Sequence, residues 1–341
     1  MTETLSLDAA RATGIAALEA AGATSSVARA QVELLLEAEM RGLPSHGFLR
    51  LARLIDRIQN GVADPRTTGV HVWRHTGLLE VDGERGLGPA VALSALDAIQ
   101  TRARETGIAA AVVRNSNHIG MLAYYAEQVA RAGQIAIVLS TSEALVHPWG
   151  GRRAMLGTNP IAIGVPASPH PFVLDMATSL VPMGKIHDYA NRQQPLGAGW
   201  ALDIDGEPTL DANAAKQGAI APFGDAKGYA LGLAFEVLVA ALTASALGTD
   251  VKGTLDDDQI CNKGDVFIVA ETAGHGIAAA ITAYLDAVRA CPPSQAGQPV
   301  VVPGDRSQAQ RARAAQSGIT IPHAVWARIV ALSQHANTSS T

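Results

Sequence analysis

The chain has 341 residues, 48% hydrophobic but only 4% aromatic, so its core must be mostly Ala, Leu, Val and Ile, and its length allows two domains or one elaborate one. A net charge of −5 with no Lys/Arg-rich block argues against nucleic acid as a partner. Cys261 and Cys291 are too few for a disulfide framework or a cysteine metal site, and Met1-Thr-Glu-Thr-Leu-Ser lacks the order of a signal peptide. A soluble, cytoplasmic protein is the expectation.

Residues 6 to 60 read as three helices. Ser6 and Asp8 start the first and Gly22 ends it, Thr24/Ser25 start the second, and Ser45 caps a third that closes at Asn60-Gly61. Val70–Trp73 and Gly77–Asp82 read as short strands, and Pro89 to Glu105 as an amphipathic helix. From Gly107 strands and helices alternate: strand Ile108–Val113, helix Ile119–Ala132, strand Ile135–Leu139, then strands Ile161–Val165 and Phe172–Leu174. A polar Gly/Pro-rich stretch from Tyr189 to Gly224 precedes a long small-residue helix from about Ala226 to Leu247. Glu236 interrupts its apolar run, so it is expected to be a buried helix and not a membrane span. Val266–Ala270 is a last strand, and Arg306 to His335 reads as helix broken at Gly318–Pro322. The expected class is α/β with helical ends.

Five stretches carry chemistry. In the Ser45 helix, His46 and Arg50 follow at i and i+4, so a proton carrier and a fixed cation share one face, opposite Phe48, Leu51, Ile55 and Ile58. A solvent-facing, Arg-rich stripe is the competing reading. Arg114-Asn-Ser-Asn-His118-Ile-Gly120 joins a strand to a helix, where ligands sit in α/β folds; His118 is a base, a ligand or a cap. Pro148-Trp-Gly-Gly151 and Leu156-Gly-Thr158-Asn-Pro160 are glycine turns that either approach a ligand or only punctuate loops. Asp175, in Leu174-Asp-Met-Ala177-Thr-Ser179, is a strand-end acid able to accept ribose hydroxyls, or a turn residue. Lys227-Gly228 opens the long helix and is a phosphate contact or a solvent lysine.

Several signatures are missing. No G-x-G-x-x-G follows a strand, and neither a phosphate loop nor a nucleophile elbow is present. Asp256-Asp-Asp258 lacks EF-hand spacing, and His147, His170, His187 and His275 show no ligand spacing, so no metal is expected.

Taken in order, these pieces resemble one family. It is the malate/L-lactate dehydrogenase family of the non-Rossmann type, with sulfolactate dehydrogenase, ureidoglycolate dehydrogenase, diketogulonate reductase and piperideine/pyrroline-2-carboxylate reductase among its relatives. The resemblance covers roughly residues 5 to 333. It rests on Ser45-His46-Gly with Arg50, Asn115–Gly120, Pro148–Gly151 with Leu156–Pro160, and Leu174–Ser179. Gly199-Trp-Ala-Leu-Asp203 with Asp205–Thr209, Lys227-Gly and Val302-Pro-Gly-Asp305 complete it.

The resemblance implies a mixed-sheet α/β cofactor domain over 107–305 and a helical domain over 1–106, against which 306–341 packs back. It implies a dehydrogenase that interconverts a small 2-hydroxy acid (malate, lactate or sulfolactate-like) and its 2-oxo acid with NAD or NADP, as a homodimer with a shared active site. His46 would be the general acid/base, oriented by Ser45, with His118 the alternative base. Arg50 would hold the substrate carboxylate bidentately, and Thr158 would touch the substrate. Asp175, Met176, Ala177, Lys227 and Gly228 would bind cofactor together with His118 and Gly120, and Gly304/Asp305 would lie near its adenosine end.

Departures from the family pattern are Glu143 and His147 in the loop after Thr141, Asp225 at a usual glycine, and Glu271 to Gly276. Lys185 stands where imine-reducing relatives tend to carry an acid, which favours an oxo acid over a cyclic imine. A cyclic imino acid reductase and a non-catalytic relative are the alternatives.

Overall fold

Polar caps followed by apolar residues at helical spacing open the chain. The computed structural model describes residues 2–274 and 276–334. After β1 (Thr2–Leu5), the Ser6 hydroxyl accepts from Ala9 N–H at the start of α1 (Leu7–Ala20), and Thr24 does the same for Val27 N–H in α2 (Ser25–Met40).

The third helix departs from expectation. Pro44–His46 and Phe48–Arg50 each form one tight 3-10 turn, and α3 (Leu51–Gln59) starts only afterwards. Ser45 therefore caps no helix, and His46 and Arg50 do not share a helical face. Gly47 between the turns is extended, at φ −93° and ψ −152°. The cause lies in α2, where a Glu39 carboxylate oxygen accepts from Phe48 N–H at 2.8 Å and holds the break in place.

A seven-stranded mixed sheet forms the middle of the molecule. Its order is β2 (Val70–His75), β3 (Leu78–Asp82), β4 (Ile108–Arg114), β11 (Asp265–Ala270), β5 (Ile135–Ser140), β6 (Ile161–Val165) and β7 (Phe172–Met176). The β3–β4 pair is parallel and the others are antiparallel. The boundary expected after residue 106 runs through this sheet, because β2 and β3 precede it and pair onward to β4.

Side chains alternate between two cores. Phe267 and Val269 of β11 join Ala109, Ala111 and Val113 of β4 in the main core, under α4 (Gly88–Thr106) and α5 (Ala123–Arg131). Val266, Val112 and Leu139 face the other way, against Val239 of α8 (Asp225–Thr243). Helix α5 begins four residues later than the sequence suggests, since Gly120 sits at φ +73°, outside the right-handed helical region.

The polar Gly/Pro-rich stretch from Tyr189 belongs to a small unit with its own core. It contains α6 (Met183–Asn191), β8 (Ala201–Leu202), β9 (Pro208–Thr209), α7 (Ala212–Ala215) and β10 (Ala219–Ile220), packed around Ile186, Leu196 and Ala215. Helix α9 (Ile277–Arg289) was not anticipated. At the end, α10 (Asp305–Ser317) packs on α2, β12 (Ile319–Pro322) pairs with β1, and α11 (His323–Gln334) packs on α1 and α3. His275 and His335 lie outside the described residues.

Helix α8 is long and apolar enough to cross a membrane by length and composition. It packs on β4, β5 and β11 instead, and carries a buried Glu236. The expectation of a buried helix holds for one side only. Leu231, Leu233, Val237, Leu238 and Leu242 are exposed, while the buried side carries small residues, with Gly228 against Phe223 and Gly232 against Thr178.

Candidate active site

Strand β4 ends at Arg114, and the asparagines after it act as brackets. Asn115, at φ +51°, donates to both Asp82 carboxylate oxygens at 3.1 Å. Asn117 donates to the Arg85 and Gly86 carbonyls and accepts from Arg57 Nε at 2.9 Å. With both amides satisfied in the frame, His118 is the residue of this run presented to a cavity of about 660 Å³. That volume is within the roughly 300–1,000 Å³ of small-molecule sites.

The 3-10 turns bring His46 and Arg50 to the same cavity. The imidazoles of His46 and His118 stack with centroids 5.6 Å apart and planes 9° from parallel. His118 Nδ1 accepts from Gly120 N–H at 3.2 Å, so in the neutral ring the proton sits on Nε2. His46 Nδ1 is buried and has no protein partner. Burial, then the charge of Arg50, pushes His46 down to about 4, and the same causes hold His118 well below its usual value. Both rings are therefore neutral at pH 7.

Arg50 donates from Nε to the Ser45 carbonyl at 2.8 Å and has no carboxylate partner among the described residues. Burial lowers its pKa to about 10, with Arg53 repelling it and Glu143 acting in the opposite sense. A guanidinium fixed by one backbone bond, with its remaining N–H groups free, is built to receive a carboxylate. Thr158 lines the cavity too. Its loop is held by Glu236, which accepts from Gly157 N–H at 3.1 Å and from Asn159 Nδ2 at 2.6 Å.

The other end of the cavity runs past Gly120, Asp175, Met176, Ala177 and Gly304. Asp175 accepts from Ala123 N–H at the start of α5 at 2.8 Å, and burial raises its pKa to about 6. The Ser179 hydroxyl, also on the wall, is buried and unpartnered. A strand-end acid, a glycine-bearing backbone segment and an orphaned hydroxyl fit a dinucleotide, whose ribose hydroxyls and phosphates need such partners.

Three expected cofactor residues lie elsewhere. Lys227 is exposed and does not line the cavity. Gly228 is buried against Phe223, whose carbonyl oxygen a Cβ would overlap, so close backbone approach requires glycine there. Asp305 accepts from Arg289 and from Val302 N–H, and these bonds hold it below its usual pKa. Sequence reasoning missed Lys263, which lines the cavity beside His118 and donates to both Asp265 oxygens at 2.5 Å. Ser140 donates to the same carboxylate at 2.6 Å. The available signal was a Lys-Gly-Asp at the mouth of an apolar strand. Arg41, the Thr254-Leu255 wall and Gln308 were missed as well.

The sequence matches the family described as malate/L-lactate dehydrogenase over residues 5–330. The chain belongs to that family. The malate/L-lactate dehydrogenase fold is shown by a crystal structure of a dehydrogenase from Sinorhizobium meliloti, which superposes with a TM-score of 0.94 at 53% identity over 98% of each chain. The (2R)-3-sulfolactate dehydrogenase (NADP(+)) of Chromohalobacter salexigens is 38% identical over 73% of this chain and 74% of its own. The pyrroline-2-carboxylate/piperideine-2-carboxylate reductase of Pseudomonas aeruginosa is 30% identical over 96% of this chain and 98% of its own. Family membership makes the chain an oxidoreductase of the 2-hydroxy acid dehydrogenase type.

Proposed function

We propose that the protein interconverts a small 2-hydroxy acid and its 2-oxo acid with NAD or NADP. The carrying observation is the Arg50 guanidinium without a carboxylate partner beside two stacked, neutral imidazoles in one cavity. The bound nicotinamide supplies or takes the hydride. Asp175, Met176, Ala177, Gly120 and Gly304 hold it along the far wall, with Ser179 as an added hydroxyl partner.

Arg50 takes the substrate carboxylate and so fixes the reacting carbon beside the imidazoles. His46 is the general acid/base: its imidazole takes the hydroxyl proton during oxidation and returns it during reduction. His118, with Nε2–H as donor, steadies the same oxygen, and Thr158 touches the substrate. A carboxylate on Arg50 cancels part of the field that depresses His46, so oxo-acid binding makes His46 more basic at the moment a proton is needed. The Michaelis constant for the oxo acid is therefore expected to rise as pH rises.

Lys185 does not line the cavity; its ammonium lies 4.2 Å from the Trp200 ring centroid, among the aromatic residues of the small unit. The homodimer is part of this proposal. The exposed leucines and valine of α8 are an apolar face of the kind that a second copy covers. A panel of 2-oxo acids with NADH and NADPH, followed by absorbance of the reduced cofactor, tests the activity. Loss of that absorbance with at least one acid is expected, and none with any acid would sink the proposal.

A further inference from the structure

We infer that the substrate carries one anionic group only, its carboxylate, and that its substituent is apolar. This rests on the oxo-acid reading above and narrows it to 2-oxo and 2-hydroxy monocarboxylic acids. Malate-like and sulfolactate-like acids, which bring a second anion, are set aside.

The first support is the charge balance of the cavity. Three of its described side chains are cationic at neutral pH: Arg41, Arg50 and Lys263. Arg41 is taken by Glu37 and Glu127, and its side chain is only 5% exposed. Lys263 is taken by both oxygens of Asp265, at 2% and 1% exposure for the pair. Drawing Lys263 away toward a ligand would leave Asp265 as a buried, uncompensated carboxylate, the costly half of a broken ion pair. Arg50 alone has no carboxylate partner. At the imidazole end of the cavity, one free wall cation matches one substrate anion.

The second support lies behind the Thr254-Leu255 wall. A single Glu143 oxygen accepts from Thr254 N–H at 2.8 Å, the Thr254 hydroxyl at 3.1 Å and Leu255 N–H at 2.9 Å. Its negative charge is close enough to act on Arg50. A second anion on the substrate would enter the field of this carboxylate with no further unpaired cation on the cavity wall to bind it.

The third support is the wall itself. Leu145 and Met183 pack against the small unit's core and also line the cavity. Leu180 and Leu255 line it while remaining 45% and 37% exposed, so apolar surface is open to a ligand there.

The experiment compares 2-oxobutanoate and 2-oxopentanoate with oxaloacetate and 3-sulfopyruvate on the full-length enzyme with one cofactor. The expected result is kcat/KM at least about a hundredfold higher for the monocarboxylates, in the range that an unmatched polar group costs a specific site. An equal or higher value for either dianion overturns the inference and leaves the oxo-acid reading standing. Piperideine-2-carboxylate turned over with no oxo acid active overturns the oxo-acid reading and this inference with it. Titration calorimetry of the same acids on the cofactor-loaded protein reads the charge balance without turnover, and tighter binding of a dianion overturns it. Glu143→Gln keeps the acceptor oxygen and removes the charge. It is expected to narrow the preference several-fold, mainly by lowering KM for oxaloacetate, and an unchanged ratio overturns the role given to Glu143.

Discussion

Arg41 and Arg50 line one cavity and are treated in opposite ways. Arg41 is enclosed by Glu37 and Glu127, which are themselves held by Arg311, Arg131 and Gln308. Arg50 has a single backbone carbonyl, repulsion from Arg53 and only the longer-range charge of Glu143 in its favour. A closed network gives the wall a fixed shape. A cation left open on a rigid turn gives the cavity an appetite for a carboxylate. The difference separates residues that build the site from residues that work in it.

The largest effect is expected at the open end. His46→Ala should lower kcat by about 10²- to 10⁴-fold, the usual worth of a positioned acid/base, while cofactor affinity measured by fluorescence titration stays near wild type. Should His118→Ala show that loss and His46→Ala not, the two imidazoles exchange roles. Next come the arginines. Arg50→Lys should raise KM for the oxo acid by about tenfold or more with little change in stability, since an ammonium cannot reproduce a bidentate fork. Arg41→Met should act on stability, by up to about 3 kcal/mol in urea unfolding, because Arg131 and Arg311 keep part of each carboxylate's pairing. If Arg41→Met left stability unchanged, the contrast between the two arginines would fail.

The smallest effect concerns Glu39, the residue that sets the break between the 3-10 turns. Burial raises its pKa from 4.5 to about 7, against the lowering effect of the Phe48 N–H bond. The protonated form therefore favours the fold. Its stabilising contribution is complete below pH 4.5 and is lost as pH rises through 7. Glu39→Gln does not titrate and keeps an acceptor for Phe48 N–H. Its Tm should match wild type in acid and exceed it by a few degrees above pH 7, which a thermal melt series across pH will show.

Much of this was written locally in the sequence. The Ser6 and Thr24 caps, the strand positions and the polar run ending at His118 rest on neighbours a few residues apart, and local pattern reads such features well. His46 and Arg50 were found for the wrong geometric reason. Spacing of i and i+4 suggested a helix, whereas Glu39 from another helix breaks the backbone at Gly47 and still delivers both side chains to the cavity. The small unit after Met183 escaped notice because strands of two residues carry no periodicity. Lys263 escaped because its environment is made at long range, with Ser140 lying 125 residues before the aspartate it helps to hold.

Glu236 has a further consequence. It sits on the inner side of α8, at 2% exposure, and accepts from the Gly157 backbone N–H and the Asn159 side-chain amide, on either side of Thr158. The outer side of the same helix exposes leucines and a valine, the face proposed above for a second copy. In the proposed homodimer, quaternary contact and substrate grip would share this one helix. Dilution that separates the copies is expected to loosen that helix before it unfolds the chain, so specific activity should depend on enzyme concentration where the circular dichroism spectrum does not.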